Sequence, residues 1–231
     1  MSRGSWTIVI HGGAGAMRTM GAEKEKAYRA SLTAALQAGV DALKVGGNAL
    51  TATMASVRAM EACGDFNAGH GSCLNLDGVI EADAAVMDGK DLSMGAIAAV
   101  PGIANGVSLA DAIRRQSPHC LFAGPQALRV AEKWPDFVVE KAQPSPDRIS
   151  KWEKQRGVYQ DQNLDTLDLT RFGGTHDEGD TVGAVALDSD GGLAVAVSTG
   201  GIWLKVPGRV GDSPLPGSGF WAENGLVACC A

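Results

Sequence analysis

The 231-residue sequence predicts a layered α+β domain assembled from two segments of chain. Three observations predict it. A strand and several helix patterns come first, a polar, proline-bearing stretch over 140–180 breaks the pattern, and a hairpin signal over 181–198 follows at once. Glycine is abundant, at 31 residues, and clusters at 12–15, 46–47, 69–71, 173–174, 200–201 and 217–219. No Gly-x-y period runs through it, so collagen is excluded and tight turns with close backbone approach are expected.

Trp6 to Ile10 reads as a buried strand, closed by His11-Gly12-Gly13-Ala14-Gly15. Residues 22–45 read as a helix whose Leu32, Leu36, Val40 and Leu43 share one face at spacings of three and four. Gly46-Gly47 stops it, and Asn48 suits the cap of a second helix carrying Leu50, Met54, Val57 and Met60. A polar, glycine-rich stretch over 64–75 separates this helix from two short strands at 80–88 and 93–100. Ser108-Leu109-Ala110-Asp111 resembles a capping box with Asp in the last position, opening a helix that stops before Pro118. Gly124-Pro125 begins another, ending near Trp134.

Pro144, Pro146 and weak apolar periodicity mark 141–180 as a flexible linker holding one short helix over 149–156. Order then returns. Thr181 to Asp188 is strand-like, Ser189-Asp190-Gly191-Gly192 is a turn, and Leu193 to Ser198 is strand-like again. Cys229-Cys230 reads as a buried strand end.

Composition narrows the function classes. Hydrophobic residues at 45% and charged residues at 20% describe a globular chain long enough for a sizeable core. A formal net charge of -6 argues against a nucleic-acid partner. Five cysteines, an odd number without C-x-x-C spacing, suit reduced thiols in the cytoplasm. No signal-peptide pattern and no run of eighteen apolar residues is present, so no membrane partner is expected. His70, His119 and His176 lack metal-ligand spacing, and the loop at 12–15 lacks both the Walker Lys-Ser/Thr and the G-x-G-x-x-G pattern.

The junction Asp180-Thr181 carries the chemistry. A threonine hydroxyl is a poor nucleophile without a base beside it. A threonine that begins a chain has its own α-amine as that base, with a reference pKa of about 7.7–8.0, well placed for proton transfer near neutral pH. Such a residue must first be freed by cutting the bond before it. A flexible linker running into the first residue of a buried strand offers that geometry. Taken singly, the residues have ordinary readings too: Thr181 as a β-former, Thr199-Gly200-Gly201 as a strand end, Arg209 and Asp212 as a surface ion pair, His11 as a satisfied core histidine.

The motifs together resemble one family. Gly179-Asp180-Thr181-Val182-Gly183-Ala184-Val185-Ala186-Leu187-Asp188 looks like the cleavage junction of plant-type asparaginases and isoaspartyl peptidases, which are N-terminal nucleophile (Ntn) hydrolases. Ser198-Thr199-Gly200-Gly201, Gly208-Arg209-Val210-Gly211-Asp212-Ser213-Pro214, His11-Gly12-Gly13-Ala14-Gly15 and Phe66-Asn67-Ala68-Gly69 match four further family motifs, in order and over nearly the whole chain. The resemblance implies an αββα sandwich, a single domain over 1–231 divided into segments 1–180 and 181–231, and cleavage between Asp180 and Thr181. It implies Thr181 as nucleophile, Thr199 hydrogen-bonded to the Thr181 hydroxyl, and Asn67 as an orienting group. Arg209 would take the substrate's α-carboxylate and Asp212 its α-ammonium, with Gly200 and Gly201 lining the site. The substrate would be L-asparagine or a β-aspartyl dipeptide, and no cofactor would be needed for catalysis. A structural sodium ion would sit on backbone carbonyls of the loop comprising Met60, Glu61, Cys63, Phe66, Ala68 and His70. Processed protomers would pair as a homodimer.

Relatives would continue past Ala231 with a Thr-Gly pair that forms an oxyanion hole, so the chain looks truncated at its C-terminus, with the last part of the fold missing. Three alternatives follow: an inactive or uncleaved relative that only binds a ligand or partner, a glycosylasparaginase-like hydrolase, and an N-terminal threonine endopeptidase. The intact 208–214 motif favours a small amino-acid head group over the last of these.

Overall fold

The computed structural model describes residues 4–13, 21–157 and 180–231. Its frame is a six-stranded sheet of order β1-β5-β6-β2-β3-β4, built from β1 (Thr7–His11), β2 (Glu81–Asp88), β3 (Met94–Pro101), β4 (Leu121–Ala123), β5 (Val182–Leu187) and β6 (Leu193–Thr199). All neighbours pair antiparallel except β3 and β4. The hairpin β5–β6 forms as the sequence predicts and occupies the middle of the sheet, between β1 and β2.

Alternation along these strands assigns their faces. Val182, Ala184, Ala186, Ala194 and Ala196 pack with Val86 against α1 (Ala22–Lys44) and α2 (Ala49–Cys63). Ala85, Met87, Val195 and Val197 point the other way, onto Phe220 and Ala222 of a two-stranded ribbon, β7 (Phe220–Glu223) and β8 (Val227–Cys230). Helices, large sheet and small sheet thus stack in that order. Both faces of the central strands are buried, so they read as unbroken apolar runs rather than alternating ones.

Several boundaries differ from expectation for physical reasons. β1 lies at the edge of the sheet, and Val9 is 59% exposed rather than buried. In α1 the buried positions are Ala35, Gly39 and Leu43, while Leu36 is exposed. The helix approaches so closely that a Cβ on Gly39 would collide with Ile8 and Ser56, so small residues set the contact face. Asn48 caps α2 as predicted, accepting from the Thr51 N–H at 2.9 Å.

The next helix, α3 (Gly106–Gln116), begins before Ser108. Ser108 is therefore no cap, and Asp111 instead pairs with Arg114 and Arg115 at 3.0 and 2.8 Å. α4 (Gln126–Ala131) follows Gly124-Pro125 as expected.

Part of the predicted linker is ordered structure. α5 (Pro146–Arg156) starts at the Ser145 cap with Pro at its first turn, three residues earlier than read. Trp152 Nε1 donates to the Asn75 carbonyl at 2.8 Å, and Lys151 and Arg148 lie 4.7 and 5.7 Å from the centroid of the buried Trp203 ring. Residues 158–179, the rest of that linker, lie outside the described residues. Among the described residues no helix is long and apolar enough to cross a membrane.

Candidate active site

The site forms where the start of β5, the end of β6 and the loop after α2 meet. Thr181 directly precedes β5, and Thr199 ends β6. Asn67 arrives from the loop that leaves α2 through Gly64, whose φ of +80° suits glycine. Gly200 N–H donates to the Asn67 carbonyl at 3.0 Å, locking that loop to the strand end. A Cβ on Gly200 would lie 2.5 Å from Ser72 Cβ and 2.7 Å from Asn67 Oδ1, so only glycine fits.

Two side chains converge on the carbonyl of Asp180. Asn67 Nδ2 donates to it at 2.6 Å and Thr199 Oγ1 at 2.8 Å. The second Asn67 amide hydrogen goes to the Gly201 carbonyl at 2.6 Å, and its Oδ1 accepts from the Cys73 N–H at 2.7 Å. Thr199 Oγ1 accepts from the Gly201 N–H at 2.9 Å, which leaves its own hydrogen for Asp180. The arrangement polarises the carbonyl of the residue before Thr181 and would hold an oxygen that turns anionic. Both donors are buried, where such bonds are strong.

The bond from Thr199 to the Thr181 hydroxyl was expected of a freed Thr181, and in the uncut chain these two hydroxyls have other partners. Thr199 serves the Asp180 carbonyl, and Thr181 Oγ1 pairs with Ser213 Oγ at 3.0 Å. Ser213 lay inside the 208–214 motif but drew no role from sequence. The signal was there, a hydroxyl beside Asp212, yet its partner depends on how the loop folds.

The glycine-rich turn after β1 flanks Asp180. A Cβ on Gly13 would lie 2.6 Å from Asp180 Cβ, at a φ of +136°. His11 is half-buried; burial lowers its pKa, with the Asp180 carboxylate pulling the other way. Its Nε2 finds no partner among the described residues, so it is not the satisfied core histidine expected. Cys73, beside Asn67, is wholly buried and its thiol is pushed up to about 12, so it stays protonated at neutral pH.

Arg209 and Asp212 sit on an exposed loop and make no salt bridge with each other, against the ion-pair reading. Neither charge has a salt-bridge partner among the described residues. The loop 60–70 curls so that carbonyls crowd its glycines. A Cβ on Gly69 would lie 2.7 Å from the Ala104 carbonyl oxygen and would collide with that of Glu61. One on Gly71 would lie 2.5 Å from the Gly64 oxygen and would collide with that of Phe66.

Comparison with known proteins adds an independent line. A family model described as asparaginase matches residues 4–231. A plant-type L-asparaginase of Pyrobaculum calidifontis is 46% identical over 230 residues, covering 97% of this chain and 73% of that protein. An isoaspartyl peptidase/L-asparaginase of Mus musculus is 42% identical, covering 97% and 66% respectively. An isoaspartyl peptidase of Escherichia coli is 40% identical, covering 97% and 70%. The chain thus spans roughly two thirds to three quarters of the lengths of these relatives.

Proposed function

The chain belongs to the asparaginase family, and on that premise we propose that it is an amidohydrolase that cuts itself between Asp180 and Thr181 and then hydrolyses L-asparagine or β-aspartyl dipeptides with Thr181 as nucleophile. The observation that carries this reading is the Asp180 carbonyl, in the peptide bond before Thr181, held by Asn67 and Thr199 at 2.6 and 2.8 Å.

In the first reaction Thr181 Oγ1 attacks the Asp180 carbonyl carbon. Negative charge gathers on the oxygen that Asn67 and Thr199 already face. The amide nitrogen of Thr181 leaves with a proton, giving an ester, and water cleaves that ester. Thr181 then begins its own chain, with a free amine as general base. In the second reaction the same hydroxyl attacks the side-chain amide of the substrate. Ammonia, or the amine of a peptide, departs, and water discharges the aspartyl ester. Arg209 pairs with the α-carboxylate as a planar fork and Asp212 with the α-ammonium, while Gly200 and Gly201 line the site.

The coarser fold carries finer proposals. The helix, sheet, sheet order supports an αββα sandwich of the Ntn-hydrolase type, a single domain made of segments 1–180 and 181–231. The carbonyls of Glu61 and Phe66 crowd Gly69 and Gly71 of the loop after α2, and backbone carbonyls are hard oxygen donors of the kind a sodium ion takes. The carbonyls of Met60, Glu61, Cys63, Phe66, Ala68 and His70 would hold it, and its charge would stiffen the loop that carries Asn67. All five cysteines are free thiols, which suits the cytoplasm. A homodimer of processed protomers completes the proposal.

Intact-mass spectrometry of the purified, aged protein tests the reading. Two fragments are expected, the smaller beginning at Thr181, with release of ammonia from asparagine or of free aspartate from a β-aspartyl dipeptide. Thr181→Ala should leave one uncut mass and no turnover. Fragments split before position 181 in Thr181→Ala would sink the assignment.

A further inference from the structure

Three buried charges lie behind the loop that carries Arg209. Glu81 and Asp83 on β2 and Lys205 after β6 are only 9%, 0% and 1% exposed. Burying ions is costly unless each is paired and hydrogen-bonded, so their partners show what they hold. Lys205 Nζ donates to the Glu81 carbonyl oxygen at 2.8 Å. The Glu81 carboxylate accepts from the Gly208 N–H, at 3.2 and 3.1 Å to its two oxygens. One oxygen of Asp83 accepts from the Ala99 N–H at 2.7 Å, and the other from the Gly211 N–H at 3.3 Å. Two carboxylates thus grip the backbone on either side of Arg209.

Local geometry explains why Gly208 is available. The Arg209 N–H closes a turn onto the Val206 carbonyl at 2.9 Å. Pro207 is its second residue and Gly208, at φ +83°, its third, the type II pattern. The N–H of that third residue takes no part in the turn's own bond, and Glu81 receives it. Burial raises the Asp83 pKa and lowers that of Lys205, with each charge pulling the other back. The guanidinium of Arg209 lies over Gly211, its Nη1 3.0 Å from where a Cβ there would sit.

We propose that Glu81 is a positioning residue for substrate recognition: by holding the Gly208 N–H it fixes the turn that presents Arg209, and so sets affinity for the ligand's α-carboxylate. The inference rests on the reading of Arg209 as the carboxylate anchor. Asp83 grips the far side of the loop, but it pairs opposite Thr199 in the sheet, so its loss would also disturb the nucleophile's surroundings. Glu81 pairs with Pro101 instead, away from Thr199.

Calorimetric binding to the full chain separates the outcomes, with L-aspartate as one probe and β-alanine, which lacks only the α-carboxylate, as the other. Glu81→Ala removes a charged hydrogen bond and should weaken L-aspartate binding about tenfold while leaving β-alanine unchanged. Glu81→Gln, which keeps one acceptor oxygen, should fall between, and it decides the matter if Glu81→Ala does not fold. Adding Glu81→Ala to Arg209→Ala should cost nothing more, because both act through one contact. Equal loss for both probes, no loss for either, or additive losses in the double variant would overturn the proposal. If Arg209→Ala itself leaves L-aspartate binding intact, the anchor reading fails and the inference falls with it; if only the Glu81 variants are silent, the anchor stands and the inference alone fails.

Discussion

Asn67 uses its whole amide within the site, with Nδ2 on two carbonyls and Oδ1 on the Cys73 N–H. No rotation of that amide preserves all three bonds, so the donor facing Asp180 is fixed before any chemistry begins. Removing one preorganised donor to a developing oxyanion commonly costs about 10²–10³ in rate. Asn67→Ala should therefore slow the cut at Asp180-Thr181 by that order, followed as the decay of uncut mass with time. Asn67→Asp should be worse still, since it turns a carboxylate oxygen toward a carbonyl oxygen. Equal cleavage rates in wild type and Asn67→Ala would leave Thr199 as the sole donor that matters. Motif order alone brought Thr181, Thr199 and Asn67 into one site. It did not reveal that Thr199 faces the carbonyl and Ser213 the hydroxyl, because both depend on side-chain directions that a one-dimensional motif does not contain.

At the scale of elements, Glu61 joins three of them. It sits in the last turn of α2, and its Oε1 accepts from Val107 N–H in the first turn of α3 at 2.9 Å and from Ser198 Oγ on β6 at 2.7 Å. Its Oε2 has no partner among the described residues. Burial raises its pKa from 4.5 to about 7, against the pull of the Ser198 and Val107 bonds. The folded state thus binds this proton more tightly than the unfolded chain does. Its contribution to stability is fully present below pH 4.5 and is lost as pH rises through about 7. At about 1.4 kcal/mol per pH unit, a loss on the order of 3 kcal/mol is expected across that window. Glu61→Gln, neutral at every pH, should flatten the fall in Tm between those two pH values at fixed sodium concentration. An unchanged slope would place the titration elsewhere. The helices themselves were legible where a long apolar face recurs, as in α2. In α1 the expected face was right at Leu43 and Leu32 and wrong at Leu36, because Ala35 and Gly39, which an apolar-face pattern passes over, make the closest contacts. α5 was partly taken for linker, because none of its residues is buried and it is held by Trp152 and by cations over Trp203.

For the whole molecule, the order of strands matters more than their number. Segment 1–180 supplies β1, β2, β3 and β4, and segment 181–231 supplies β5 and β6, which lie between β1 and β2. The hairpin was readable from sequence and its central place was implied by the family resemblance, but its neighbours β1 and β2 were not. The runs 182–187 and 193–199 are apolar on both faces, and such runs pair equally well with many neighbours until the chain closes around them. The consequence is mechanical. β5 pairs with β1 from Gly183 to Leu187, and β6 pairs with β2 from Ala194 to Thr199, so both outer edges of the hairpin are bonded to the other segment. The ribbon β7–β8 then lies across β2, β5 and β6. Cutting the chain before Thr181 removes one covalent bond and leaves two strand ladders and two apolar faces joining the pieces. The fragments should therefore travel as one particle in size-exclusion chromatography and native mass spectrometry. They should part only in denaturant, at concentrations that also abolish the far-ultraviolet circular dichroism signal. Release of the smaller fragment under native conditions would contradict the interleaved sheet, and with it the placement of Thr181 beside Ser213.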